Sequence, residues 1–413
     1  MKVLILSTYD LKGGAGKAAF RLMECLNTIE GSEALMLVNE KSSSSTNVIQ
    51  CHGFLGKYFN RLLGALDNLF LIFYPKRNGT IFSTAWISTY SIEKIIEKYK
   101  PDLINIHWIN NGFLSIGQIK NLKTKAPIVF TLHDRWLMTG GCHVAFDCTK
   151  FKNNCSSCFQ LNSNKKFDLS SFIQKRKRNL IKNRKFNFVG ISQWMFNSAK
   201  ESNILKNENV INLPNPINTS FFKEIDKNYA KGVLGINTSK KILLFGAVNA
   251  TTDHQKGFHL LKKVIKLLDK DNYLIVLFGN RENDLFQELD IETLPLGYIH
   301  DEITMRTVIN ASDVFLLPSL QENLSNSVME SLSCGVPVVS FDIGGNSDMV
   351  KHMNTGYLAN PFDVQDFAYG IEYLANNPQI GKNARSFVCE NFDYDVVSRL
   401  YFNFFNELIN RTI

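Results

Sequence analysis

A chain of 413 residues with 45% hydrophobic and 20% charged residues excludes a disordered protein and exceeds one ordinary core, so two domains of about 200 residues are expected. No apolar run approaches the ~18–20 residues of a membrane span, and the first residues lack a signal peptide's charged start and cleavage site, so a cytoplasmic location is expected. The net charge of +8 is uneven: residues 1–215 carry 29 Lys and Arg against 14 Asp and Glu, residues 216–413 carry 17 against 24, and a basic front half suits an anionic partner such as phosphorylated lipid, a membrane surface or nucleic acid.

The first element is a strand, "KVLILSTY" (2–9), followed by "LKGGAGKAAFRL" (11–22). Lys12-Gly13-Gly14-Ala15-Gly16-Lys17 comes close to a nucleotide-hydrolysing P-loop, but Leu11 stands where the standard spacing needs glycine. Ala18 and Ala19 replace the hydroxyl that would ligate Mg²⁺, which argues against an NTPase. A glycine turn ahead of a helix N-terminus still suits a phosphate-bearing ligand. An apolar and basic stretch follows at 54–77, then strands "LINIHWI", "APIVFTLH" and "FNFVGIS", with His107 and His133 near the ends of the first two.

Four of the eight cysteines fall in one loop: Cys142, Cys148, Cys155 and Cys158, spaced C-x5-C-x6-C-x2-C. The spacing suits a structural zinc, with reduced packed thiols or reversible disulfides as the other reading. Residues 164–185, "NKKFDLSSFIQKRKRNLIKNRK", are basic with interspersed Phe and Ile; with no nucleic-acid module present, anionic lipid is the partner expected and nucleic acid is not.

Prolines and asparagines in "NLPNPINTSFF" (212–222) mark a linker. Beyond it the opening layout returns: strand "KILLFGAV" with Gly246, a polar loop ending in "HQKG", and a helix "FHLLKKVIKLLDK". Strands "YLIVLFG", "DVFLLPS" and "VPVVSFD" follow, giving two doubly wound α/β domains. In "DVFLLPSLQENLSNSVMESLSCGVPVVSFDIGGNSDMV" (313–350), Glu322 and Glu330 form E-x7-E. The first carboxylate lies in a loop and the second on a helix starting near Asn326 or Ser327; "NLSNS" between them offers backbone N–H groups as a diphosphate cradle. Two carboxylates beside a phosphate site suit the hydroxyls of a nucleotide-sugar.

This segment resembles the signature of the retaining glycosyltransferases of family 4. The glycine run, "TLHD" (131–134), "QKGFHLL" (255–261), the linker and a C-terminal helical pattern occur in the order of that family. The resemblance implies a GT-B fold, two Rossmann-like domains facing across a cleft, with an acceptor-side domain at 1–213, a nucleotide-sugar domain at 214–395 and a helix at 396–413 crossing back. It implies transfer of a sugar from a UDP- or GDP-linked donor to a glycan or lipid-linked oligosaccharide in bacterial surface polysaccharide synthesis, at the inner face of the membrane and without a catalytic cofactor. By that resemblance Glu322 and the backbone of Asn323, Leu324 and Ser325 face the donor sugar and phosphates. Glu330 holds the ribose, Lys256 neutralises the diphosphate, and His133 reaches the sugar. Gly14, Gly16 and Gly246 line the donor site. The family's basic residue soon after the strand glycine is missing, so either Lys256 works with another cation, such as Arg281, or the leaving group gets less charge compensation. A nucleotide- or nucleic-acid-binding regulator built on the basic half is the alternative.

Overall fold

Val3–Leu6 and Leu103–Ile106 bury successive side chains, which a strand achieves only when both faces of its sheet are covered. The computed structural model describes residues 1–51, 56–88, 91–246, 253–279 and 289–411, with side chains of the helix Gly56–Asp67 described from residue 62 onward.

Those two strands and five others form one parallel sheet: β1 (Lys2–Tyr9), β2 (Glu33–Glu40), β3 (Val48–Gln50), β4 (Leu103–Ile106), β5 (Ile128–Leu132), β6 (Asn187–Gly190) and β7 (Asn209–Asn212). Their spatial order is β3-β2-β1-β4-β5-β6-β7. A second parallel sheet comprises β8 (Lys241–Gly246), β9 (Tyr273–Phe278), β10 (Thr293–Pro295), β11 (Val314–Leu317), β12 (Val338–Phe341) and β13 (Gly356–Ala359), in the order β10-β9-β8-β11-β12-β13. Each sheet grows outward in both directions from its first strand. The β1/β4 and β8/β11 junctions are therefore switch points, where open α/β sheets take ligands at the carboxyl ends of the strands.

The chain divides into two compact units, Met1–Pro216 with Val397–Ile413, and Ile217–Val396. In the first, the helix Gly13–Leu26 buries Ala18, Ala19, Leu22, Met23, Cys25 and Leu26, one apolar face at helical spacing. Tyr401 and Phe405 of the helix Tyr394–Asn410 are fully buried, and the Tyr401 hydroxyl lies 3.5 Å from the Leu213 carbonyl oxygen. In the second, the helix Phe258–Ile265 lays Phe258, Leu260, Leu261, Val264 and Ile265 on a core shared with Phe245, Ile275 and Leu316. Among the described residues no helix is long and apolar enough to cross a membrane.

Candidate active site

At the second sheet's switch point two loops are knitted together. Leu320 N–H donates to the Gln255 carbonyl at 2.8 Å, and Gln255 Nε2 donates to the Gln321 carbonyl at 2.8 Å. Two glycines make the fit. Gly257 has φ +70° and a Cβ there would overlap the Pro318 carbonyl oxygen; Gly344 has φ +58° and a Cβ would overlap the Glu322 carbonyl oxygen. The result is that the Lys256 ammonium donates to Glu322 Oε1 at 2.8 Å, while the Ser319 hydroxyl donates to the same oxygen at 2.9 Å. The side chains of Lys256 and Glu322 are 29% and 13% exposed, so a ligand can still reach both. Burial alone would lower the Lys256 pKa, but the Glu322 charge and hydrogen bond, with Asp253 nearby, leave it raised and the ammonium protonated.

Glu322 is followed by Asn323, buried Leu324 and Ser325, which is the N-cap of the helix Asn326–Ser333 with extended backbone. The Ser325 side chain makes no capping hydrogen bond. The helix's first-turn N–H groups have no intrahelical acceptor and face the direction in which a helix favours negative charge. Glu330 is 1% exposed inside the same helix. Gly246 ends β8 with the Phe278 ring where a Cβ would stand. The loop after it, residues 247–252, and Arg281 lie outside the described residues.

In the first unit, the glycine run is the first turn of a helix rather than a loop. Lys12 is the N-cap of Gly13–Leu26, and its own side chain makes no capping hydrogen bond. Gly14 is exposed there, but Gly16 is buried, and its hypothetical Cβ would sit 2.9 Å from the Tyr9 carbonyl oxygen. Gly16 thus lets the helix pack on the end of β1. Ala18 and Ala19 are core residues, so the hydroxyl position of a P-loop is occupied by packing.

His107 directly follows β4 and His133 directly follows β5, on adjacent strands. Their rings meet, His107 Nδ1 to His133 Nε2 at 2.7 Å. Burial pushes the His107 pKa well below its ordinary value, helped by His133, and burial pushes His133 down to about 4 against the opposing pull of Asp134. Asp134 also holds the loop: its carboxylate accepts from His143 Nδ1 at 2.6 Å, Trp108 Nε1 at 3.1 Å and Trp136 N–H at 2.8 Å. Burial would raise this carboxyl, but His143, then the Trp136 amide and His133, bring it below the usual range. The network of Asp134, His143 and Trp108, the His107–His133 contact, and Ser319 were not anticipated; "IHW" and "LHD" ending neighbouring apolar strands were the signal available.

The zinc expected of Cys142, Cys148, Cys155 and Cys158 is corrected. Among the described residues no group of three or more His, Cys, Asp or Glu is disposed to hold a metal ion. These cysteines are free thiols; Cys142 packs with Phe82, Leu161 and Ile173, and burial pushes Cys142 and Cys155 up to about 12. Cys155 belongs to the main core of the first unit and Cys158 packs against the Cys142 cluster, so apolar packing claims three of the four side chains that spacing alone offered to a metal.

The apolar-basic stretch at 54–77 and the basic segment at 164–185 are joined through Trp86, although residues 54 and 55 lie outside the described part. The Trp86 ring stacks on Phe172 at 5.2 Å, touches Phe70 at 4.8 Å and carries the Arg176 guanidinium at 4.2 Å. On the same two segments Ile72, Phe73 and Phe167 are 68%, 78% and 85% exposed.

Residues 226–387, within the second unit, match the family described as Glycosyl transferases group 1. A UDP-Gal:alpha-D-GlcNAc-diphosphoundecaprenol alpha-1,3-galactosyltransferase of Escherichia coli is 29% identical over 136 residues, 31% of this chain and 34% of that protein. The chain spans about half the length of other curated relatives it matches. Among solved structures, a sucrose-phosphate synthase from Thermosynechococcus elongatus superposes with TM-score 0.73 at 16% identity, covering 99% of both chains. The Anabaena protein HepE in complex with UDP-glucose gives 0.65 at 16% identity, covering 98% of this chain and 100% of that one. These likenesses show the fold, two parallel-sheet α/β units of the GT-B kind.

Proposed function

We propose that the protein is a retaining glycosyltransferase that moves a sugar from a nucleoside-diphosphate donor to a glycan or lipid-linked acceptor. The observation that carries this reading is the Lys256–Glu322–Ser319 cluster beside the N-terminus of the helix Asn326–Ser333 at the second sheet's switch point. The positive end of that helix and the Lys256 ammonium suit a diphosphate; Glu322 suits sugar hydroxyls and Glu330 the ribose. The matched family segment and the UDP-linked substrate in the E. coli relative's name favour a UDP-sugar.

During transfer, the bond between the anomeric carbon and the phosphate oxygen breaks and its electron pair leaves with the diphosphate. The acceptor oxygen bonds to that carbon, and the acceptor's proton passes to the departing phosphate. Lys256 stabilises the charge that develops on the leaving group, which is the largest electrostatic demand of the step. Glu322 and His133 are the proposed catalytic residues, Gly14 is proposed to lie near donor phosphate or acceptor, and the first unit is proposed to serve the acceptor.

A membrane-apposed site of action is part of the proposal. The exposed Phe167 and Phe172, with Lys166 and Lys175 lining the same hollow and Arg176 on the Trp86 ring, suit an anionic lipid surface. Surface polysaccharide synthesis fits the diphosphoundecaprenol in the relative's name.

The test is calorimetric titration with UDP, GDP and ADP, followed by product analysis with a donor panel. Binding of one nucleoside diphosphate and a product of unchanged anomeric configuration are expected. No nucleotide binding overturns the reading, and an inverted product overturns its retaining part.

A further inference from the structure

Asn105 is a polar residue in the buried strand β4, opposite Val129 of β5, and it is completely shielded from solvent. Its amide Nδ2 lies 3.2 Å from the Val129 carbonyl oxygen and 2.9 Å from Thr131 Oγ1. Its Oδ1 lies 2.6 Å from His107 Nε2. A carbonyl oxygen has no hydrogen to give, so the amide end facing Val129 must be the NH₂ group. That turns Oδ1 toward His107, and an amide oxygen only accepts. His107 therefore carries its proton on Nε2.

The rest of the chain of bonds follows. A neutral His107 protonated on Nε2 has a bare Nδ1, which accepts from His133 Nε2–H across the 2.7 Å contact. The acceptor nitrogen of His133 is then Nδ1. A charged His107 would reverse this contact, but burial holds the ring neutral.

We propose that Asn105 and His107 are positioning residues that fix His133 as its Nε2–H tautomer, so that Nδ1 is the accepting side of the His133 ring. The tautomer does not depend on the sugar-transfer reading above; the effect on turnover given below does. The chain begins at a main-chain carbonyl of β5, which no side-chain rotation can move.

The experiment is long-range ¹H–¹⁵N spectroscopy of the full chain labelled at histidine nitrogen, near pH 7.5. Wild-type His107 and His133 are both expected as Nε2–H tautomers. In Asn105→Leu the acceptor is gone, His107 moves its proton to Nδ1, and His133 switches to Nδ1–H. The same variant is expected to lose about tenfold in kcat, one neutral hydrogen bond at the reacting sugar, with UDP affinity unchanged. His107→Phe, which keeps a ring of similar shape, is expected to lose kcat similarly and to release His133 into a mixture of tautomers. A wild-type His133 protonated on Nδ1, or an unaltered His133 tautomer in both variants, overturns the proposal. Because the spectra need no turnover, expected ring states in a protein that transfers no sugar refute the function and leave the relay standing.

Discussion

The Lys256 ammonium rests 2.8 Å from Glu322 Oε1, and that carboxylate keeps it charged in a mostly shielded position. The two are therefore predicted to behave oppositely when replaced. Lys256→Ala removes a charge-assisted contact of about 2 kcal/mol, so UDP should bind roughly 30-fold more weakly by calorimetry. Glu322→Gln removes an anion next to the diphosphate while keeping an acceptor for Ser319. It should bind UDP at least as tightly as the wild type yet lose sugar transfer by about a hundredfold or more. Equal weakening of UDP binding in both variants would count against the assignment.

The buried histidines make stability depend on pH. His133 titrates at about 4 in the folded chain and near 6.5 when unfolded, so between these values the unfolded state binds more protons. Its contribution is complete above about pH 6.5 and is lost as pH falls toward 4, about 2 kcal/mol by pH 5. His107 acts with the same sign, while Asp134 opposes by favouring the charged ring. Urea denaturation at pH 7 and pH 5 should show a smaller pH effect in His133→Gln than in the wild type.

Gly344→Ala places a methyl group against the Glu322 carbonyl oxygen in a left-handed backbone position. Strain and overlap together should cost about 3 kcal/mol in urea denaturation. UDP affinity should fall as well, because the Gly345 N–H that holds the same carbonyl at 3.1 Å must move. An unchanged melting curve would show that the loop yields more easily than its packing implies.

The aromatic and basic surface around Trp86 predicts salt-sensitive attachment to anionic vesicles. In flotation, the wild type should rise with vesicles containing anionic lipid and stay behind with neutral ones. Phe73→Asp combined with Phe167→Asp should abolish flotation and leave UDP binding intact. Wild-type flotation that ignores lipid charge, or none at all, would refute the membrane part of the proposal.

Much of this molecule was readable in advance because parallel strands buried on both faces are written as unbroken apolar runs, as in β1, β9 and β11. E-x7-E was readable too, since a loop carboxylate and a helical one can be placed by spacing. The partnerships were not. Nothing in the sequence tells that Lys256 meets Glu322, because a long-range ion pair follows from the strand order β8 beside β11. Asn105 hid inside an apolar strand, where one polar residue looks like noise until its amide is seen to face a histidine. The cysteine spacing misled because spacing records how far apart residues are along the chain and says nothing of the apolar packing that claims Cys142, Cys155 and Cys158.

The first unit is discontinuous: Ile217–Val396 interrupts it, and Val397–Ile413 completes it. On the ribosome, the residues up to Pro216 emerge long before Tyr401 and Phe405 are made, so their core waits unfinished while the second unit is synthesised. The second unit, by contrast, is one uninterrupted stretch and can close as soon as it has emerged. The order of birth and the order of completion are therefore reversed, and a chain released after residue 396 would hold a complete second unit attached to a first one still exposing the surface that Tyr401 and Phe405 cover.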